Sequence, residues 1–287
     1  MTGNRISTIF SVAIPDTFTS NYQSLLQKSL SIGILARACA IFRVGDIYIY
    51  REKLDTPNLR ASRLIFKLLS YLETPQYLRK HLYRREPGLR HVGMLPPLRT
   101  PHHKEKIAVE DMEIGSVREG VVVGRKKGLQ QVYVGLDEDV WIEDSKELQG
   151  RVTVRIKNKR GKRIFGEVVD KFEVPDYWGF RIHVSTKSLS KLLRSIKYPL
   201  KIFTSRRGRS ISEVYKDLKA HLSISRETMV VFGGPYRGIY EILEEEDATP
   251  EELGDYVVNT VPGQGTETIR VEEAVYITLG LLNGLRR

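Results

Sequence analysis

Asn259-Thr-Val-Pro-Gly-Gln-Gly-Thr-Glu-Thr268 stands between a short strand-like run, Tyr256-Val-Val258, and a long helix-periodic stretch, Thr268 to Leu282. Strand, glycine-rich loop and helix in that order put the loop beyond the carboxyl end of a strand, where open α/β sheets bind ligands. Its glycines let the backbone come close to a bound group. The arrangement recurs upstream, where Met229-Val-Val231 reads as a strand and runs into Phe232-Gly-Gly-Pro-Tyr-Arg-Gly238. A third loop, Ser205-Arg-Arg-Gly208, follows a strand read over Leu200 to Thr204. Neither glycine loop carries the GxxxxGK[ST] or GxGxxG pattern of nucleotide phosphate sites. Taken singly, each reads equally well as a plain turn.

Working outward, the α/β pattern covers both ends of the chain. Ile9 to Ile14 reads as a buried strand closed by Pro15, Asn21 to Arg37 as a helix, Ile41 to Val44 and Ile47 to Tyr50 as strands, and Asn58 to Leu72 as an amphipathic helix. Phe180 to Val184 is a further strand and Ser212 to His221 a helix, and Asn283-Gly284 is expected to stop the last helix. Between them, Glu86 to Pro101 has the look of a linker, with four prolines and two glycines. Five short strands follow, over Val117–Val123, Leu129–Val134, Val140–Ile142, Val152–Ile156 and Ile164–Val169, which suggests a small barrel of OB type. The expected fold class is α/β with a parallel sheet. One domain is expected from residues 1–93 and 175–287, interrupted by a β domain at 94–174.

The chain has 287 residues, 41% of them apolar, enough for an ordinary core. Lys and Arg outnumber Asp and Glu by 46 to 35, which favours a polyanionic partner. Cys39 is the only cysteine, so an intrachain disulfide and a cysteine-built metal site are excluded. His102 and His103 are adjacent and the HExxH spacing is missing, so no metal is expected. Nothing approaches the ~20 apolar residues of a membrane span. A cytoplasmic protein without a membrane partner is expected. The charge is segregated. Arg181 to Arg209 holds nine Lys or Arg and no acid, and Arg151 to Arg163 holds seven and none. In the latter run Val152, Val154 and Ile156 alternate with Arg151, Thr153 and Arg155, so one strand face is expected to pack inward while the other shows a basic strip. Arg151, Arg155, Lys157, Lys159 and Arg160 are therefore candidate contacts to a nucleic-acid backbone, as are Arg206 and Arg207 in the third loop. Ordinary solvated surface is the competing reading for all of them. The eight carboxylates of Glu241 to Asp255 read as a solvated loop.

Val230-Val-Phe-Gly-Gly-Pro-Tyr-Arg-Gly-Ile-Tyr-Glu-Ile-Leu243 resembles the penultimate cofactor loop of the SPOUT class of RNA methyltransferases. Asp255-Tyr-Val-Val-Asn-Thr-Val-Pro-Gly-Gln-Gly-Thr-Glu-Thr-Ile-Arg-Val-Glu-Glu-Ala274 is similar to the class's last loop and knotted helix. Leu35-Ala-Arg-Ala-Cys-Ala-Ile-Phe-Arg-Val-Gly-Asp-Ile-Tyr-Ile-Tyr50 is similar to its first motif, with Arg37 as the helix arginine. The branch resembled is the archaeal and eukaryotic one with an OB-like domain inserted. The resemblance implies a C-terminal trefoil knot, S-adenosylmethionine as cofactor, RNA as substrate and a homodimer. It carries cofactor binding to Gly233, Gly234, Gly238, Val261, Gly263, Gln264, Gly265 and Thr266, and to Thr204. Asn259 would position the loop, contact substrate or stabilise the turn.

The resemblance also implies base methylation at the N3 of a uridine in ribosomal RNA. Such a base must be unpaired or flipped out. Losing the N3 proton makes the nitrogen a nucleophile, and a nearby cation stabilises the developing anion. Arg37 is the candidate cation, against a purely structural arginine. Glu267 is the candidate proton acceptor, against a first-turn glutamate favoured by the helix dipole. A non-catalytic RNA-binding or ribosome-assembly protein on the same scaffold, and a ribose 2′-O-methyltransferase, are the alternative functions.

Overall fold

A computed structural model describes residues 9–53, 55, 58–143, 147–161 and 163–286. β1 (Ile9–Pro15) leads into α1 (Leu25–Ile41), β2 (Val44–Arg51) and α2 (Leu59–Glu73). α1 starts four residues later than its apolar pattern suggests because Ser24 caps it. The Ser24 side chain accepts from the Gln27 backbone, and the Gln27 side chain reaches back to the Ser24 amide, each at 3.2 Å. The helix also continues through Ile41, so the strand expected from Ile41 begins only at Val44, after Arg43 turns the chain at φ 57°.

After α3 (Arg79–Leu82) come β3 (Val117–Lys126), β4 (Leu129–Tyr133), β5 (Val140–Ile142), β6 (Arg151–Arg160) and β7 (Arg163–Val168). These five close into a barrel in the order β3-β4-β5-β7-β6. Val132, Val140, Val154, Ile156 and Ile164 fill its interior. The chain then makes β8 (Arg181–Ser188), α4 (Leu189–Ser195), β9 (Leu200–Ser210), α5 (Ile211–Ile224), β10 (Glu227–Val231), α6 (Ile239–Glu244), α7 (Pro250–Leu253), β11 (Tyr256–Asn259) and α8 (Val271–Leu285). The last helix passes through Asn283-Gly284 instead of stopping there. Val275, Leu279, Leu282 and Leu285 are all buried at helical spacing, and that burial outweighs the local stop signal.

The chain divides into two units by contact. One runs to Ser70 and takes in Gly88–Pro97 and Phe180 onward; the other holds Tyr71–Pro87 and Leu98–Gly179. The first is an α/β layer on a six-stranded, wholly parallel sheet of order β11-β9-β10-β1-β2-β8. One sheet face buries Ala13, Tyr50, Phe203, Met229 and Val231 under Leu192 and Leu193 of α4 and Ile242 and Leu243 of α6. Each of the Phe, Met, Val, Leu and Ile side chains is worth roughly 1.5–3 kcal/mol when fully buried. α1 and α8 pack on each other. The Pro-rich stretch is not a free linker throughout. Leu95 is buried and lies 3.3 Å from where a Cβ on Gly33 of α1 would stand. The acidic stretch is not a plain loop either. It contains the end of α6 and all of α7, and the Glu246 carboxylate accepts from the Leu189 and Ser190 amides at 3.1 Å, capping α4.

The second unit is the barrel with the segments that pack on it. Tyr77 joins Leu78 and Val121 in a small apolar cluster, and its hydroxyl donates to the Glu119 carbonyl at 2.8 Å. His102 and His103 are also held here. Both ring Nε2 atoms meet the Glu73 carbonyl, at 2.8 and 2.9 Å.

Candidate functional site

A cavity of about 320 Å³ opens at the carboxyl ends of β9, β10 and β11. All three loops singled out in the sequence line it: Thr204 to Arg207 after the regular part of β9, Phe232 to Gly238 after β10, and Asn259 to Val261 with Gln264 after β11. Ile269, Val271 and Ala274 at the start of α8 close the far side. Its volume is at the lower end of the roughly 300–1,000 Å³ of small-molecule sites.

The local chemistry shows why the loops meet. β9 and β11 run parallel, but their register jumps: Val257 pairs with Phe203 and the next residue, Val258, with Arg209. Residues 204–208 are thus thrown out of the ladder, and 204–207 form part of the cavity wall. The jump needs glycine at 208, where a Cβ would lie 2.7 Å from the Val257 carbonyl carbon and oxygen. Asn259 then ties the loops together. Its side-chain amide donates to the Arg206 carbonyl at 3.2 Å, and its Oδ1 accepts from the Val261 amide at 3.0 Å. The Arg206 guanidinium donates to the Glu267 carbonyl at 2.8 Å, and Gln264 donates to the Thr266 and Glu267 carbonyls at 2.8 and 3.2 Å. Gly263 has φ +71°, the left-handed region that suits glycine. On the other loop, the Gly234 amide donates to the Arg237 carbonyl at 2.8 Å, and Thr204 donates to the Val231 carbonyl at 3.1 Å.

Two carboxylates stand beside this cavity wall. Asp16 follows β1 and Glu52 follows β2, and both are buried. Asp16 accepts from the Glu52 and Asn58 amides at 3.1 Å. Glu52 accepts from the Thr17 hydroxyl and lies against Gly234, where a Cβ would overlap its carboxylate. Burial, with a push from Asp16 and against the pull of Arg237, raises the Glu52 carboxyl to about 7. Arg207 sits 4.2 Å over the Tyr240 ring, and Arg237 holds the Glu245 carboxylate at 2.7 Å. The site therefore combines exposed peptide groups, two arginines on one wall and a carboxylate with raised proton affinity behind another.

Residues 9–282 match the family described as "Putative RNA methyltransferase". The chain belongs to this family. It is 34% identical to the human 28S rRNA (uridine-N(3))-methyltransferase over 302 aligned residues, covering 95% of this chain and 77% of the human one. The mouse protein of the same name is 33% identical, with 95% and 75% covered. The fruit-fly protein of that name is 30% identical, with 95% and 61% covered. The chain is thus a methyltransferase, and a methyl donor is part of its chemistry. No described helix is long and apolar enough to cross a membrane. Among the described residues no group of three or more His, Cys, Asp or Glu is placed to hold a metal.

The methyltransferase brings Thr204, Gly233, Gly234, Gly238, Asn259, Val261 and Gln264 to the cavity, together with Arg206 and Arg207. Gly263, Gly265 and Thr266 lie on the same loop but outside the lining, all exposed. Glu267 is exposed and contributes its backbone carbonyl to the loop's internal bonds. Arg37 lies on α1, outside the lining, with its guanidinium donating to the Pro97 carbonyl at 3.2 Å.

The basic strand β6 departs from the expected two-faced pattern at its start. Arg151 ion-pairs with the buried Glu73 and Glu119, and Thr153 is buried and donates to Glu119 at 2.6 Å. Burial works to raise the Glu73 carboxyl, but Arg151, Lys171 and His102 outweigh it and hold it below the ordinary value. Further along, Arg155 and Lys157 share Glu167 at 3.4 and 3.1 Å, Lys159 donates to the Val109 carbonyl at 2.5 Å, and Arg160 lies 5.6 Å over the Phe165 ring. Asp16, Thr17, Glu52 and Arg237 escaped the sequence reading as site residues. The signal for the two acids was their place directly after strands one and two.

Proposed function

We propose that this methyltransferase uses S-adenosylmethionine to methylate the N3 of a uridine in ribosomal RNA. The observation that carries the reading is the convergence of three loops on one cavity at the carboxyl ends of adjacent parallel strands, in a chain of an RNA methyltransferase family. The names of the human, mouse and fruit-fly relatives supply the uridine and the ribosomal RNA. The proposal includes a SPOUT-type C-terminal trefoil knot, which the resemblance implies. It also reads the barrel as an inserted OB-like RNA-binding domain spanning about residues 94–174, between methyltransferase segments 1–93 and 175–287.

The residues present fit the donor. Its carboxylate suits Arg206, Arg207 or Arg237 and its ammonium suits Glu241, all of which line the cavity. Gly263 and Gly265 are exposed, and nothing lies within 4 Å of where a Cβ on either would stand, so the loop leaves open space beside them. S-adenosylmethionine would supply a methyl group on a sulfonium. Thr204, Gly233, Gly234, Gly238, Asn259, Val261, Gly263, Gln264, Gly265 and Thr266 would hold it, largely through backbone groups. The chain's part is to exclude water, orient the acceptor nitrogen and stabilise its charge as the proton leaves. Arg37 is proposed for that last task and Glu267 for the proton. Arg37 lies outside the lining of its own chain's cavity, which suits a homodimer with a site shared between copies. Ile34 and Ile41 of α1 and Leu281 of α8, apolar and exposed, support that assembly.

Calorimetric titration with S-adenosylmethionine tests the donor, and a folded protein that takes up none refutes the reading. Mass spectrometry of nucleosides from methylated ribosomal RNA tests the acceptor. The reading requires the added mass on the base, and mass on the ribose would replace it with 2′-O-methylation.

A further inference from the structure

The two acid-free basic runs differ in how their cations are engaged. On β6 the cations of Arg151, Arg155, Lys157 and Lys159 are held by carboxylates or carbonyls of their own unit. In the run that starts at β8, Arg181, Lys201, Arg206, Arg207 and Arg209 are engaged in the same way, but its middle is different. Lys187, Lys191, Arg194 and Lys197 are all exposed, and none is in an ion pair among the described residues. They lie on the last residues of the edge strand β8, on α4 and on the turn after it. Beside them the Arg181 fork is fixed on Asp46 at 2.9 and 3.2 Å, and the His183 ring, 41% exposed, stacks on Tyr48 at 4.6 Å. The nearby acid just after α6, Glu246, is turned to the α4 amides.

The position of this patch relates it to the cavity. β8 and β2 are parallel with Ser188 opposite Arg51, so Lys187 stands at the same edge of the sheet as Glu52 and the β10 loop. β8 is three strand positions from β10 through β1 and β2, which is about 14 Å at the usual spacing. We propose that Lys187, Lys191, Arg194 and Lys197 form the track on which the phosphates of the substrate RNA run toward the cavity. On β6, by contrast, Arg151 serves to hold its own barrel together. The proposal rests on the reading of this chain as acting on RNA, and it deepens that reading by naming the surface.

The test is binding of a fluorescent single-stranded RNA of about 20 nucleotides to the full chain, measured across a salt series without methyl transfer. Neutralising all four residues (Lys187→Gln, Lys191→Gln, Arg194→Gln and Lys197→Gln) should weaken binding at least tenfold at ~0.1 M salt. It should also make the slope of log K against log salt shallower by about 3. The pairs Lys187→Gln with Lys191→Gln, and Arg194→Gln with Lys197→Gln, each remove about half of that slope and serve if the fourfold variant does not fold. Arg155→Gln with Lys157→Gln should change the slope by less than about 1. Unchanged affinity and slope in the fourfold or paired variants overturn the proposal. So does loss of affinity for polyglutamate with RNA binding unaffected, which would mark an acidic protein as the partner. Failure of the uridine reading would appear separately, as wild-type RNA binding with methylation of another atom or none.

Discussion

Replacing Glu52 with glutamine should stabilise the protein in mildly basic solution and leave it nearly unchanged in acid. Glu52 is 5% exposed behind Gly234, and burial raises its carboxyl from 4.5 to about 7. Between those values the folded chain keeps a proton that the unfolded chain has released. Stability contributed by this group therefore falls as pH rises through that window, and the loss is complete above about pH 7. At about 1.4 kcal/mol for each tenfold change in proton affinity, the ionised carboxylate costs the fold about 3 kcal/mol. Glutamine has nearly the same shape, accepts the Thr17 hydroxyl bond through its amide oxygen and has no charge to lose. Urea unfolding at about pH 4.5 and about pH 8 measures the effect. The variant should match the parent at the lower pH and exceed it by about 3 kcal/mol at the higher one. An advantage of the same size at both pH values, or none at pH 8, would refute the argument that burial governs this carboxylate. Asp16, also raised by burial, lies beside it and adds pH dependence of the same sign; because the two carboxylates repel each other, the difference between the proteins reports Glu52 together with its coupling to Asp16.

Gly208→Ala places a methyl 2.7 Å from the Val257 backbone, where no side chain can yield. It should destabilise the fold by about 1–3 kcal/mol, and calorimetry should show donor affinity falling with it; unchanged donor binding would count against the role of the β9–β11 register jump. Asn259→Ala removes the bond to Arg206 and the one from Val261, and donor affinity should fall about tenfold, as for one to two lost hydrogen bonds. Arg151→Ala takes the cation from the buried Glu119 carboxylate and leaves the buried Glu73 with Lys171 alone among lysines and arginines. It should cost about 3–5 kcal/mol in thermal or urea unfolding, while the salt slope of RNA binding stays put. Arg37→Ala should lower the rate of methyl transfer by about 10²-fold or more with donor affinity retained, as expected when one charge-stabilising group is lost; an unchanged single-turnover rate removes Arg37 from the chemistry.

Periodicity and turn chemistry in the sequence located the strands of the parallel sheet, the five strands of the barrel and the glycine loops after β10 and β11, though not the start of β2, where α1 runs on through Ile41, nor the extension of β9 to Ser210. These features are local: alternation, helical spacing and punctuation by Gly and Pro act over a few residues. The segment Asn259 to Thr268 became a cavity wall only in three dimensions. Asn259 meets Arg206 across 53 positions of chain, and Gly208 meets Val257 across 49, in a register that no local pattern encodes. The same holds for charge. Sequence counted the cations of β6 and β8 alike, because composition does not record what a side chain touches. Folding set Glu73 and Glu119 against Arg151, and Glu167 against Arg155 and Lys157, while it left Lys187, Lys191, Arg194 and Lys197 facing solvent. Burial likewise gave Glu52 a proton affinity that its sequence neighbours could not predict, since desolvation depends on which distant residues pack around a group.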